Sequence, residues 1–288
     1  MTNPLLQKWS TPFSMPPFEI IHAAHFPEAF NQALASHQAE IQAIAHQMHA
    51  PSFQNTLLAL EASGELLNQT SAIFFNLSAS HTSPEIQAIE REISPKLAAH
   101  SAAMFLNAAL FERIDKLHAE RASLGLDSES IRLIERYHLD FVRAGARLKD
   151  KDRQAFAEYS EKLASCFTQF SQNVLADEAA FCLVLTEADQ LKGLPDFVKS
   201  AALQLAKERG LTQANAHAFT LSRSSITPFM TFSERRDLRE SMWMAWCKRG
   251  ENPGPHNNEA VMREILKIRL AQARLLGYQN FSEYALAD

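Results

Sequence analysis

Glycine is scarce in this sequence, eight among 288 residues, and valine occurs only at positions 142, 174, 184, 198 and 261. Strands draw on β-branched residues, so this shortage argues against a sheet-based fold, whereas the recurring Ala, Leu, Glu and Gln favour helix. Cysteine is limited to Cys166, Cys182 and Cys247. An odd number so widely spaced excludes a disulfide framework or a zinc ribbon and points to a reducing cytoplasm. The net charge of −5 is spread without long runs of one sign, which removes the electrostatic footprint of a nucleic-acid binder. No stretch approaches the roughly 20 apolar residues of a bilayer span. Met1–Ser10 has no basic segment followed by an apolar run, so it does not read as a secretory signal. A glycine-rich phosphate loop and a Gly-x-Ser-x-Gly elbow are both missing.

Amphipathic helix is abundant, and the clearest case runs from Leu124 to Leu148. Asp127 is placed to cap the first turn, and Leu126 and Ile131 are spaced for a hydrophobic staple. Ile131, Ile134, His138, Phe141, Gly145 and Leu148 recur at three- and four-residue intervals along one face. Gly145, with no Cβ, reads as a point of close approach for a second helix.

The remaining chain sorts into three stretches. Residues 1–25, with Pro12, Pro16 and Pro17, form an extended arm packed on the body. Residues 26–177 form a helical region. Its first helix runs to about His49 with Phe30, Leu34, Ile41, Ile44 and Met48 inward. Asn55 caps a second helix, with Gly64 as a close-packing point, and Ser83-Pro84 opens a third. A long helix then carries Phe156, Leu163, Phe167, Phe170 and Val174. Residues 178–288 read as an α+β region. Phe181–Leu185 and Ala218–Leu221 are strand-like runs either side of a helix from Pro195 to Arg209, and Ser233 caps a helix bearing Leu238, Met242, Trp243 and Trp246. The expected fold is mainly α: long antiparallel helices in a bundle-like array with a small two- or three-stranded sheet.

Three segments carry a resemblance. Phe53-Gln-Asn-Thr-Leu-Leu-Ala-Leu-Glu61, the Leu124–Leu148 helix and the closing stretch Ala273–Asp288, with Phe170-Ser-Gln-Asn-Val-Leu175 between them, occur in the order found in thimet-type zinc oligopeptidases of family M3. Within that family the chain resembles the peptidyl-dipeptidase branch, with the oligopeptidase A branch a near relative. The resemblance implies a cytoplasmic enzyme that removes C-terminal dipeptides from short, unstructured oligopeptides held in a channel between two helical halves. The family's His-Glu-x-x-His helix binds zinc through two imidazoles, with the Glu as general base. None of the eleven histidines here precedes a Glu. The resemblance therefore implies that this chain ends before the catalytic half begins. It would wall the channel and partner the missing C-terminal half, with zinc belonging to the full-length parent. No catalytic, cofactor-binding or metal-ligating residue is assigned within it, and it is expected to be inactive alone. Neither nucleic acid nor membrane is an expected partner. A helical peptide- or protein-binding module without any catalytic half is the alternative.

Several groups still merit tracking. His22 with His25 and His46 with His49 have helical ligand spacing but no third ligand. Ser224-Ser225 beside Arg223 reads as a polar turn capping Thr227-Pro228. Arg235, Arg236 and Arg239 form a basic patch to which Arg263, Lys267, Arg269 and Arg274 add cations. These read as a solvated face or as a wall that draws in a peptide carboxylate.

Overall fold

The computed structural model describes residues 3–286. Met1 and Thr2 of the arm, and Ala287 and Asp288 of the closing motif, lie outside the described residues. The fold is mainly α with a small two-stranded antiparallel sheet, as composition implied. The helices are α1 (Phe26–Ala45), α2 (Ala59–Glu61), α3 (Glu65–Ser80), α4 (Pro84–Phe105), α5 (Ala108–Glu120), α6 (Ser128–Arg143) and α7 (Asp150–Ala180). After strand β1 (Leu183–Leu185) come α8 (Asp196–Glu208), β2 (His217–Phe219), α9 (Arg223–Phe232), α10 (Arg236–Cys247), α11 (Glu259–Leu275) and α12 (Phe281–Ala285). Two compact units result, one up to Thr168 together with Ile265 onward, the other Gln169–Glu264.

In the first unit, Phe26 and Phe30 on α1 meet Phe74 on α3 edge-on, with centroids 5.0 and 5.4 Å apart. All three rings are fully buried, each contributing about 2–3 kcal/mol through lost water contact. The arm joins this cluster through Leu5 and Trp9, while Asn3 donates to the His25 carbonyl at 2.8 Å. Ser83, Asn107 and Asp127 each accept a backbone N–H from the third residue beyond and so cap α4, α5 and α6, Ser83 and Asp127 as their positions suggested.

Four sequence expectations for this unit are corrected. Helix α1 stops at Ala45 rather than near His49, and Met48 is 99% exposed. Pro51 disfavours helix at the residue before it, so the chain turns out early. The second helix is capped by Ser52, not Asn55. Ser52 Oγ accepts the Asn55 N–H, and Asn55 Oδ1 accepts that of Ser52, a reciprocal box that opens a π turn over Phe53–Leu58. Gly64 is not inside that helix but precedes α3 at φ +73°, its N–H on Glu40 Oε2. Helix α6 ends at Arg143. Gly145 sits at φ +96°, donating to the Val142 carbonyl while Ala146 donates to that of Phe141. That pair of bonds is a Schellman stop, so Gly145 ends the helix rather than admitting a neighbour. On α7, Phe156 and Leu163 are buried and Phe167 is 40% exposed.

In the second unit, β1 and β2 pair Leu183 with Phe219 and Leu185 with His217. Val198 and Ala202 of α8, Ile226 and Phe229 of α9 and Met242 of α10 close a core around Phe219. Here Ser233 is not the cap of α10, which begins at Arg236. The Ser233 hydroxyl accepts the Arg235 N–H, and Ser233 itself is buried. Met242 is fully buried, whereas Trp243, on the next position around α10, is 54% exposed.

Candidate functional site

The two histidine pairs do not converge on a cation site. His25 Nδ1 accepts the His22 backbone N–H at 3.0 Å, which turns one ring nitrogen towards the chain. His46 lies at the C-terminal cap of α1 and His49 beyond it, so the pair shares no helical face. Among the described residues no group of three His, Cys, Asp or Glu side chains can hold a metal ion. Neither histidine pair offers a donor set that fits zinc. Ser224 and Ser225 lie inside the first turn of α9 instead of forming a separate cap before Pro228, which the helix includes. Ser225 Oγ accepts the Thr220 N–H at 3.0 Å. No histidine is hydrogen-bonded to either serine among the described residues, so neither is an activated nucleophile.

The basic patch separates into cations with different fates. Arg235 donates from Nε and Nη2 to both oxygens of Asp237, at 3.0 and 2.7 Å, and from Nη1 to Asp189 at 2.9 Å. These contacts raise its pKa, the hydrogen bond to Asp237 most, and the Lys192 and Arg235 partners hold the Asp189 carboxyl down. Arg239 Nη1 donates to the Ser233 carbonyl, anchoring the turn before α10. On α11, Arg263 pairs with Glu259 at 2.6 Å. Arg269 stands over the rings of Phe167 and Phe281, 5.2 and 4.7 Å from their centroids. Lys267 and Arg274 are exposed. Among the described residues, Arg236 and Arg223 have neither a salt-bridge nor a hydrogen-bond partner for their side chains.

Those two arginines border open cavities on the surface of the second unit. A cavity of about 280 Å³ is lined by Met230, Arg236, Arg239, Glu240 and Trp243. Another of about 360 Å³ has Arg223, Thr227, Met230, Trp243 and Trp246 in its walls. Met230 and Trp243 belong to both, so the two form one groove along α9 and α10. Arg223 opens α9 and faces Trp246 near the end of α10, while Met230 near the end of α9 faces Arg236 at the start of α10. The two helices therefore run antiparallel. Trp246 is held by Arg249, whose guanidinium stacks 3.5 Å from its centroid while donating to Glu178 at 2.6 Å. The basic patch was legible in the sequence, but the groove beside it was not. The signal was present in the spacing of Arg236, Glu240 and Trp243, which repeat at four and three residues along one face of α10.

Two further clusters join residues that sequence reading left apart. Ser63 donates its hydroxyl proton to the Leu60 carbonyl at 2.7 Å, so its oxygen accepts from His37 Nε2 at 3.2 Å. His37 Nδ1 then accepts from His100 Nε2 at 2.9 Å. This directed chain ties α4 and α1 to the loop before α3. Burial holds both imidazoles below their ordinary pKa, with His37 lowering His100 further and Glu40 opposing the shift of His37. On α5 and α6, the His118 and His138 rings stack at 3.8 Å, and His138 Nε2 meets Asp115 at 2.8 Å. Burial lowers His118, reinforced by His138 and Arg121 and opposed by Asp115 and Glu135.

Comparison with known proteins points to a peptidase lineage. Residues 229–288, which contain most of the groove and all of α11, match the model of peptidase family M3. Dipeptidyl carboxypeptidase of Salmonella typhimurium is 36% identical over 287 residues, covering 100% of this chain and 42% of that protein. The Escherichia coli dipeptidyl carboxypeptidase is 35% identical over 99% of this chain and 42% of its own length. Oligopeptidase A of Salmonella typhimurium is 28% identical over 100% of this chain, again spanning 42% of the relative. The chain thus spans about two-fifths of the length of the curated relatives it matches. Over its whole length the chain is similar to the N-terminal part of the dipeptidyl carboxypeptidases, with oligopeptidase A matched at lower identity.

Proposed function

We propose that this chain is the non-catalytic N-terminal part of a zinc metallopeptidase of the peptidyl-dipeptidase type. In that role it walls the channel in which short oligopeptides are held, and the remaining part supplies the zinc ligands and the general base. The parent acts in the cytoplasm. The observation that carries the reading is the match of 100% and 99% of the chain to 42% of two dipeptidyl carboxypeptidases. Two features support it: no histidine precedes a glutamate in this sequence, and no helix among the described residues is long and apolar enough to cross a membrane. Under this reading residues 1–25 are an arm, 26–177 a helical region and 178–288 an α+β region leading towards the catalytic part.

The direct test is to assay the purified 288-residue chain for hydrolysis of short peptides and for bound zinc. Neither turnover nor stoichiometric zinc is expected. Mixing it with the separately expressed remainder of a dipeptidyl carboxypeptidase truncated at the matching point should restore release of C-terminal dipeptides. Turnover or tightly held zinc in the chain alone would refute the assignment.

A further inference from the structure

The α9–α10 groove combines three properties rarely left exposed together. Its floor carries a large apolar ring, Trp243, over half open to solvent, beside Met230. Its ends carry Arg223 and Arg236, both exposed and with no salt-bridge partner among the described residues. Neighbouring cations have been neutralised by contrast: Arg235 by two aspartates, and Arg249 by Glu178. Glu240 is the one carboxylate lining the first of the two cavities, beside Arg236 and Arg239. The groove is thus cationic at both ends and apolar between them.

Its length selects the form of ligand. Ten residues of α9 extend about 15 Å at 1.5 Å per residue. An extended peptide rises about 3.3 Å per residue, so about four or five residues span the groove. A chain of that length can place a carboxylate at each arginine while an apolar side chain rests on the indole face. A basic peptide would meet like charge at both ends, and a neutral one would leave both guanidinium groups without partners.

We propose that the groove between α9 and α10 is a docking site for an extended acidic peptide. Its central apolar residue lies on Trp243 and Met230, and its flanking carboxylates meet Arg223 and Arg236. The inference concerns binding by this chain alone and goes beyond its proposed place in a peptidase, so either can fail without the other.

The test is calorimetric titration of the 288-residue chain with acetyl-Glu-Leu-Phe-Leu-Glu-amide, whose blocked ends restrict charge to the two side chains. The glutamine and lysine analogues serve as comparisons. Saturable binding of the acidic peptide is expected, weakened about tenfold or more in the glutamine analogue and in R223Q/R236Q, and weakened by added salt. W243A should reduce binding of all analogues together. Circular dichroism checks that the variants fold, and the salt titration needs no variant at all. Equal affinity for the acidic and glutamine peptides, affinity indifferent to salt, or no saturable binding would each overturn the proposal. Unchanged binding in a folded R223Q/R236Q would do the same. Loss of binding here alongside restored peptidase activity in the mixing experiment would remove the groove and leave the peptidase assignment intact.

Discussion

Arg113 in the first unit is 7% exposed. It donates to the His49 carbonyl at 3.1 Å, Asn55 Oδ1 at 2.9 Å and Thr56 Oγ1 at 3.2 Å. Arg223 and Arg236 in the second unit stand in solvent beside an open tryptophan. Burial lowers the Arg113 pKa, a cost tolerated because its donors hold the π turn of Phe53–Leu58 in place. Asn55 is the hub of that turn, accepting from Ser52, Thr56 and Arg113 and donating to the Ala50 carbonyl. Arg113 thus fixes backbone, as Arg239 does in the second unit, whereas Arg223 and Arg236 stay available for something else. An arginine's role is set by its surroundings rather than by its charge.

The contrast can be broken in graded steps. Replacing Phe74 by Ala removes the ring that both Phe26 and Phe30 meet, and should destabilise the first unit by about 3–5 kcal/mol in denaturant titration. Arg113→Ala leaves several polar groups of the π turn without partners, at an expected cost of about 2–3 kcal/mol. Amide exchange should accelerate at Thr56 while amides of α10 remain protected. If Arg113→Ala costs less than about 0.5 kcal/mol, the proposed division of labour is wrong.

Acid should act on the first unit through His37, His100 and His118. Their folded pKa values lie below the ordinary 6.5, so the unfolded chain binds protons first as pH falls. Stability is complete above about 6.5 and declines as pH drops through the lowered folded values. Thermal midpoints between pH 7 and 5 should show this decline, and it should flatten in a His37→Gln, His100→Gln variant. Gly145→Ala forces a side chain into φ +96° and brings its Cβ to 2.7 Å from Leu148 Cδ1, a loss of about 1–2 kcal/mol read by chemical denaturation. The smallest effect belongs to Arg236→Ala, which should change stability by less than about 0.5 kcal/mol because the side chain holds nothing. A larger loss would place Arg236 with Arg113 among the structural cations.

The caps at Asp127 and Ser83 were legible because the residue and its partner lie three positions apart. The strand pair was legible from two short apolar runs, and the similarity to dipeptidyl carboxypeptidases from motifs in order. What escaped shares one property. His37 and His100 are 63 residues apart, Arg113 and Asn55 58 apart, and Arg235 and Asp189 46 apart. No local spacing encodes such contacts. Gly145 was misread because glycine within an apolar repeat fits both a helix crossing and a helix end, and only the backbone angle separates them.

The hydrogen-bond chain from His100 through His37 and Ser63 to the Leu60 carbonyl has a spectroscopic consequence. A serine hydroxyl with a committed proton leaves the neutral His37 ring a single permissible tautomer, with its hydrogen on Nε2. Nitrogen-15 shifts of that imidazole should therefore report one form throughout neutral pH, and Ser63→Ala should release the ring to exchange between both.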